Sequence, residues 1–127
     1  MTPFMCMAVA IFFEAGNQSY EGKLAVGNVI ENRVQSNRYP DDICSVVYDG
    51  KAFSFTHDGK SDDPTRHTDP ADVRAWEDSR RAARVIMNGE LDVRIVATHY
   101  HANYVNPWWA DKITYVGRID DHLFYEE

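Results

Sequence analysis

A single carboxylic acid ends the most apolar stretch of this sequence. Glu14 directly follows Ile11, Phe12 and Phe13. An ionised carboxylate is costly to remove from water, so burial there raises its pKa and lets the acid donate a proton near neutral pH. Cleavage of a glycosidic bond requires such a proton donor. The alternative is a glutamate at a helix end that points to solvent or pairs with an arginine.

Two histidines flank a tyrosine later in the chain, in the order His99, Tyr100, His101. Residues i and i+2 of a strand face the same side, so the two imidazoles could bind a zinc ion. The third ligand would come from one of four residues at no characteristic spacing: His57, Asp58, His67 or His122. In the alternative, one histidine forms a hydrogen bond in the core and the other lines a cleft.

Aromatic side chains near the histidines could bind sugar rings, with ordinary core packing as the alternative. Tyr104, Trp108 and Trp109 offer flat apolar faces that suit pyranose rings, with polar tips for hydrogen bonds. Consecutive side chains on an extended chain point to opposite sides, so at least one of the two adjacent tryptophans must pack against the protein.

The composition describes one acidic domain. The chain has 127 residues, a net charge of −7 and 44% hydrophobic residues, which predicts a single domain over residues 1–127. The acidic balance argues against nucleic-acid or anionic-lipid partners. No glycine-rich phosphate loop, nucleophile elbow or Cys-x-x-Cys motif occurs. The paired acids are expected to be solvated: Asp62-Asp63, Asp120-Asp121 and Glu126-Glu127.

The N-terminal sequence predicts a protein without an export signal. The apolar run Phe4–Phe13 is too short for a membrane span, which needs about 20 residues, and neither a basic segment nor a cleavage site accompanies it. The run therefore predicts a buried first helix. Without an export signal, Cys6 and Cys44 are expected to be reduced thiols, with a disulfide as the alternative.

Three helices must position these residues. The first is expected over Phe4–Ala15, with a left-handed stop at Gly16-Asn17. The second begins after Ser19 as N-cap and runs to about Ser36. The third begins at Asp69-Pro70 and ends at Asn88-Gly89. Its buried stripe is expected to contain Val73, Trp76, Ala83 and Met87.

The remaining segments are shorter or irregular. Residues 43–48 predict a helical turn or a strand, and 56–69 a long surface loop. Residues 93–97 are expected to be extended. The last 28 residues hold seven of the sixteen aromatic residues, which favours an irregular aromatic surface over a helix. The fold class is therefore mostly α, with minor strands.

Several segments in order resemble one known family. They are AIFFEAGNQSYEGKLAVGNVIENRV, YPDDICSVVY, KAFSF, a helix ending in NGE, ATHYHANYVNPWWA and GRIDDHLFY. This series, from about residue 8 to residue 125, resembles the cell-wall hydrolases typified by the spore-cortex-lytic enzyme SleB. The resemblance implies a compact lysozyme-like domain, mostly α-helical, that acts on the glycan strands of peptidoglycan. Residues 1–127 are expected to form this one catalytic domain, with no separate wall-binding domain.

The resemblance also assigns the chemistry. It implies that Glu14 is the catalytic acid of a lytic transglycosylase, which cleaves between N-acetylmuramic acid and N-acetylglucosamine and leaves a 1,6-anhydro end. Such an enzyme needs one carboxyl group and no cofactor. The alternatives are a muramidase that uses water at the same bond, a zinc hydrolase built on His99 and His101, and a non-catalytic peptidoglycan-binding module.

Other matched positions imply substrate contacts. The family's phenylalanine-serine motif matches Phe53-Ser54, although Ala52 replaces the usual glutamine before it, and Gly16-Asn17-Gln18 replaces the usual Arg-Gly-Glu. Four further residues are assigned to glycan binding: Tyr100, His101, Asn106 and Trp108. The terminal motif of His122, Phe124 and Tyr125 is expected to pack.

The biological expectation is a phage endolysin. Such an enzyme would stay in the host cytoplasm until a holin-type pore releases it to the cell wall, and it would act as a monomer without membrane insertion. With a charge of −7, it should bind its acidic substrate through stacking and hydrogen bonds and depend only weakly on salt.

Overall fold

The fold is mostly helical, with one small sheet, as predicted. The structure is a computed structural model that describes residues 1–50 and 52–127. The α-helices are α1 (Pro3–Ala15), α2 (Tyr20–Gln35), α3 (Ile43–Val47) and α4 (Pro70–Met87), and the strands are β1 (His99–Ala102), β2 (Thr114–Ile119) and β3 (His122–Glu126). Short 3-10 helices at Ser54–His57 and Pro64–Arg66 interrupt the predicted long loop. No described helix is long and apolar enough to cross a membrane.

Helix α1 is the centre of the core. The Thr2 hydroxyl caps it by accepting from the Met5 amide at 3.1 Å, and Pro3 occupies the first turn. Nearly every residue from Cys6 to Phe12 is buried, which confirms the buried first helix. The left-handed stop is wrong, because Gly16 has φ −58°. Instead the buried Lys23 ammonium donates to the carbonyls of Gly16 and Gln18, at 3.1 and 2.7 Å, and satisfies the helix end.

Helices α2 and α4 pack closely against each other and against α1. The predicted N-cap of α2 is confirmed, since the Ser19 hydroxyl accepts from the Gly22 amide at 3.1 Å. A Cβ at Gly27 would lie 2.1 Å from the Ile86 side chain, so this glycine permits the close approach of the two helices. The predicted end of α4 is confirmed by Asn88 and by Gly89 at φ +71°.

The buried stripe of α4 differs in part from the prediction. Trp76 and Ala83 are buried, but Val73 and Met87 are exposed. The rest of the stripe consists of small residues and one isoleucine: Ala75, Ser79, Ala82 and Ile86. The helix phase is set by close packing of small side chains against α1 and α2, and not by its largest apolar residues.

The expectation of reduced cysteines is wrong. Cys6 in α1 and Cys44 in α3 form a disulfide, with their Cα atoms 5.3 Å apart. The bridge exists because α3 packs beside α1, which the spacing of 38 residues between the cysteines does not reveal. The covalent link holds the helix that carries Glu14.

The sheet is antiparallel with strand order β1-β3-β2. Tyr100 lies opposite Phe124, and His99 lies opposite Tyr125. The aromatic-rich end of the chain is therefore more regular than predicted, with an irregular segment only between β1 and β2. That segment crosses over β3, because β1 and β2 are the two edges of the sheet.

Side chains of α2 hold the segment that leads into β1. The Ile95 amide donates to Asn28 Oδ1 at 2.8 Å, and Asn32 Nδ2 donates to the carbonyls of Ile95 and Ala97 at 2.8 and 2.9 Å. Arg33 Nε donates to the Thr98 carbonyl at 2.8 Å. Residues 93–97, predicted as extended, lie outside the sheet, and α2 satisfies their backbone as a neighbouring strand would.

Candidate active site

Glu14 lies in the last turn of α1, at the boundary between the helices and the sheet. Its side chain is half-buried. The following turn is tied to the β2–β3 connection: Gln18 Oε1 accepts from the Asp121 amide at 3.0 Å, and the Ser19 amide donates to Asp120 Oδ2 at 2.9 Å. Asp120 and Asp121 are exposed, as predicted, but they also fasten the sheet to the end of the helix that carries Glu14.

Tyr100 is the hydrogen-bond partner of Glu14. Its phenol hydroxyl donates to Oε1 of the Glu14 carboxylate. Burial and the neighbouring carboxylate raise the pKa of Tyr100 well above its usual value, so the phenol stays protonated and remains a donor. The strand therefore supplies a fixed neutral donor to the carboxyl group.

The environment of Glu14 favours its protonated form. Burial raises the pKa of Glu14 above its ordinary 4.5, as the apolar sequence around it predicts. The hydrogen bond from Tyr100 and the positive charge of Arg33 act in the opposite direction but do not cancel the effect of burial. The carboxyl group can thus donate a proton at a higher pH than an exposed glutamate.

Arg33 is a site residue that sequence reasoning missed. Its guanidinium carbon lies 5.0 Å from the ring centre of Tyr39 and 5.6 Å from that of Phe53. An arginine in the last turn of a helix is normally interpreted as a solvated charge that complements the helix dipole. Only the packing of Phe53 and Tyr39 around it distinguishes Arg33 from such a residue.

His99 and His101 lie on the face of the sheet opposite Tyr100, since side chains alternate along β1. Both rings contact Trp109, with centroids 5.1 and 5.7 Å away. His101 Nδ1 donates to the Ala102 carbonyl at 2.8 Å, and its Nε2 accepts from the Tyr125 hydroxyl at 2.9 Å. This fixes the orientation of His101 on the side of the sheet away from Glu14.

The residues proposed as a third zinc ligand do not join this histidine pair. His67 packs against Phe12 and Phe13 of α1. His122 packs against Tyr100 on the face of the sheet that meets the helices, called the inner face. Among residues 1–50 and 52–127, no group of three or more histidine, cysteine, aspartate or glutamate side chains is placed to hold a metal ion. The zinc hydrolase alternative lacks a ligand set in this part of the chain.

The two adjacent tryptophans have different environments, as predicted. Trp109 packs edge-on against Tyr125, with centroids 5.3 Å apart, whereas Trp108 is 79% exposed. Trp108 borders a shallow depression of about 310 Å³ whose other lining residues are Asn106, Pro107, Ala110 and Asp111. Tyr104 is also exposed. These side chains leave flat aromatic surface free for a ligand.

The remaining predicted site residues differ in how exposed their side chains are. Phe53 is only 2% exposed and packs under Arg33, while Ser54 is exposed at the start of a 3-10 helix. A direct substrate contact from Phe53 stays a prediction. The first residue of the KAFSF segment lies outside the described residues. His122, Phe124 and Tyr125 are buried, which confirms that the terminal motif packs.

A cavity of about 670 Å³ lies elsewhere, between α2, the end of α4 and the segment 90–95. Its lining is mostly apolar and includes Leu24, Leu91 and Ile95. Of the described residues that line it, none is a predicted site residue. Glu14 and Tyr100 are not among the residues that line this cavity.

This chain is similar in sequence to known spore cortex-lytic enzymes. The chain is 31% identical over 118 residues to a spore cortex-lytic enzyme of Halalkalibacterium halodurans, an alignment that covers 93% of this chain and 33% of the relative. The Bacillus subtilis spore cortex-lytic enzyme is 29% identical over 120 residues, covering 94% of this chain and 36% of the relative. The chain thus spans about a third of the length of these curated relatives.

Two solved structures share the fold. The catalytic domain of the germination-specific lytic transglycosylase SleB from Bacillus anthracis superposes with a TM-score of 0.77 at 24% identity, covering 98% of this chain and 93% of that one. The catalytic domain of Bacillus cereus SleB gives 0.66 at 22% identity, covering 98% and 89%. These likenesses confirm the fold that the resemblance implies.

The sequence profile of the cell wall hydrolase family matches residues 17–125. Glu14 lies just before the matched span. The Halalkalibacterium halodurans alignment nevertheless includes position 14, because at most nine of the 127 residues lie outside it. Since the profile covers most of the sequence, this chain belongs to the cell wall hydrolase family.

Proposed function

We propose that this chain cleaves the glycan strand of peptidoglycan between N-acetylmuramic acid and N-acetylglucosamine, as a lytic transglycosylase with Glu14 as its acid and base. The observation that carries the proposal is the half-buried Glu14 carboxyl group, whose pKa is raised by burial and whose Oε1 accepts from the Tyr100 phenol. Membership in the cell wall hydrolase family supports the substrate class.

The proposed reaction uses one carboxyl group twice. Protonated Glu14 gives its proton to the oxygen that leaves with N-acetylglucosamine, while positive charge develops at C1 of N-acetylmuramic acid. The resulting carboxylate then takes the proton of the C6 hydroxyl of the same sugar, whose oxygen bonds to C1 and closes a 1,6-anhydro ring. The Tyr100 phenol keeps the carboxylate oriented and stabilises it in the second step.

We prefer this reaction over hydrolysis because it needs only the Glu14 carboxyl group and no second carboxylate. Glycosidases that use water or a covalent intermediate place a second carboxylate about 5–10 Å from the acid. Among the described residues, Tyr100 and Arg33 are the groups that shift the pKa of Glu14 through polar or charged contacts, and no second carboxylate is among them. A muramidase that uses water is the second candidate function.

Exposed aromatic side chains are proposed to bind the glycan. Trp108 and Tyr104 project into solvent beside Asn106, and their flat faces can stack on sugar rings. Because the chain and its substrate are both acidic, stacking and hydrogen bonds must provide the affinity, and added salt should change it little.

Digestion of purified sacculi tests the proposed function. Glu14→Gln should lower the rate of glycan release roughly 10²–10⁴-fold, because the amide can neither donate nor accept the catalytic proton. Glu77→Gln, at an exposed position of α4, is the matched control and should keep full activity. Full activity of Glu14→Gln would contradict the assignment of the acid.

Mass spectrometry of the products separates the two candidate reactions. A transglycosylase releases anhydro ends, which are lighter by one water than the reducing ends that a muramidase releases. Reducing ends that carry ¹⁸O from labelled water would replace the first candidate by the second. Release through a holin-type pore stays a prediction, which lysis of cells expressing the chain with and without such a pore would test.

A further inference from the structure

Arg33 is held in the site by one hydrogen bond and by contacts with two aromatic rings. Its Nε donates to the Thr98 carbonyl at 2.8 Å, and its guanidinium plane lies near the rings of Tyr39 and Phe53. These contacts join α2 to the α2–α3 connection, to the segment after α3 and to the residue before β1. A guanidinium used in this way is fixed in position, because both its hydrogen bond and its stacking depend on orientation.

The charge of Arg33 is not neutralised by an ion pair in the described part of the chain. Other arginines have carboxylate partners: Arg38 lies 3.3 Å from Glu127, and Arg81 lies 3.3 Å from Asp78. No carboxylate among residues 1–50 and 52–127 lies within 4 Å of the Arg33 guanidinium. Its field therefore acts on the groups around it. It opposes the larger effect of burial, which raises the pKa of Glu14 and of Tyr100, and it adds to the effect of burial, which lowers the pKa of His99.

The position of Thr98 links Arg33 to the catalytic pair. Thr98 is two residues before Tyr100, so the bond to its carbonyl fixes the chain just before it enters β1. The Thr98 amide donates to the Tyr125 carbonyl at 2.8 Å, which anchors the same residue to β3. Arg33 thus helps to set where the Tyr100 phenol meets Glu14.

A carboxyl group that acts first as an acid and then as a base must be able to adopt both protonation states at a small cost in free energy. Burial alone favours the acid and makes the later carboxylate costly. A fixed cation nearby offsets part of that cost without forming a direct ion pair, which would hold Glu14 ionised and unable to donate. Arg33 fits this description, because its charge acts on Glu14 although the two side chains form no salt bridge within 4 Å.

We propose that Arg33 is a positioning residue for the transglycosylase reaction proposed above: it fixes the entry to β1 so that Tyr100 meets Glu14, and its charge stabilises the Glu14 carboxylate in the second step. It acts through these two residues and does not touch the substrate. Other titratable groups around the pair are His122 on β3, against Tyr100, and His67 after the second 3-10 helix, against Phe13.

Three variants test the proposal in the full chain. Arg33→Gln removes the charge, Arg33→Lys keeps the charge but loses the stacked plane, and Arg38→Gln removes an exposed arginine of similar sequence position as the matched control.

Arg33→Gln should lower kcat about tenfold or more with less than a threefold change in KM. It should also move the alkaline limb of the pH–rate profile to higher pH, because Glu14 then stays protonated longer. Arg33→Lys should lower kcat but leave that limb in place, and Arg38→Gln should change neither.

Carboxyl-carbon NMR titration of Glu14 gives a second measurement that needs no substrate. The pKa of Glu14 should be higher in Arg33→Gln than in the wild type, and unchanged in Arg38→Gln. An unchanged titration, or a loss of kcat with an unchanged pH profile, would overturn the proposal in favour of a purely structural role. If the wild type digests no sacculi, the proposed function fails, while the titration still decides whether Arg33 controls Glu14.

Discussion

The two faces of the β1–β3 ladder carry similar residues but differ in chemistry. The inner face presents Tyr100 and His122 toward α1 and α2, and the outer face presents His101 and Tyr125 toward Trp109. Each face therefore combines histidine and tyrosine side chains in contact with further aromatic rings, and the outer face also carries His99 against Trp109. Only the inner face meets a carboxyl group of the helical core.

The difference between the faces shows that partners matter more than residue type. On the outer face the Tyr125 hydroxyl donates to His101, whose other nitrogen donates to the Ala102 carbonyl, so these groups satisfy one another. On the inner face the Tyr100 hydroxyl donates to Glu14, whose pKa burial raises. A desolvated acid with a fixed donor can move a proton, whereas the outer cluster is already satisfied within itself.

The largest expected effect concerns the helix that completes the inner face. Replacing both cysteines, Cys6→Ser with Cys44→Ser, should lower the free energy of unfolding by about 3–4 kcal/mol, because a closed loop of this length restricts the unfolded chain. The melting temperature should fall by roughly 10–15 °C. Denaturant titration with and without reductant measures the effect, and the double variant, which has no disulfide, should not respond to reductant. Equal stability of the oxidised and reduced wild type would contradict the prediction.

A matched pair of tyrosine variants compares the two faces directly. Tyr100→Phe should lower kcat roughly 10- to 100-fold, because Glu14 loses its donor, while Tyr125→Phe should change it less than threefold. Rates on sacculi are compared with melting temperatures, which should remain similar for the two variants. If Tyr125→Phe loses as much activity as Tyr100→Phe, the outer face also takes part in the reaction.

The smallest effect is a pH-dependent difference in stability. Burial raises the pKa of Glu14 in the folded chain above 4.5, so folding disfavours its ionised form. The stability that protonated Glu14 provides is fully present below pH 4.5 and is lost as the pH rises through the raised pKa. Glu14→Gln should therefore match the wild type in acid and become the more stable protein toward neutral pH. Thermal unfolding across this range measures the difference, and parallel curves at all pH values would refute it.

Features that depend on local sequence were predicted well. Ser19 as the cap of α2 and Asn88-Gly89 as the end of α4 are confirmed, because capping involves residues only a few positions apart. The apolar neighbours of Glu14 predicted a raised pKa only if the side chain is buried, and its burial in the fold confirms the direction. The roles assigned to Asn106 and Trp108 in glycan binding remain predictions, since no ligand contact tests them.

Features that depend on packing between distant segments were missed. The disulfide requires α3 to lie beside α1, and the exposure of Val73 and Met87 follows from the small residues that bring α4 close to α1 and α2. Arg33 could not be distinguished from a solvated arginine before Tyr39 and Phe53 were placed around it. Residue type alone does not report such neighbours.

The sequence by itself determined three of the helices, the acidic charge and the carboxylic acid at the end of an apolar helix. Helix caps and apolar periodicity are properties of neighbouring residues, and the charge is a property of the composition. Only the tertiary structure decided which face of β1 meets that acid. Glu14 and Tyr100 are 86 positions apart, and their hydrogen bond depends on the sheet register and on α2, whose Asn32 and Arg33 hold the entry to β1. Contacts between such distant segments arise from packing, which no local pattern encodes.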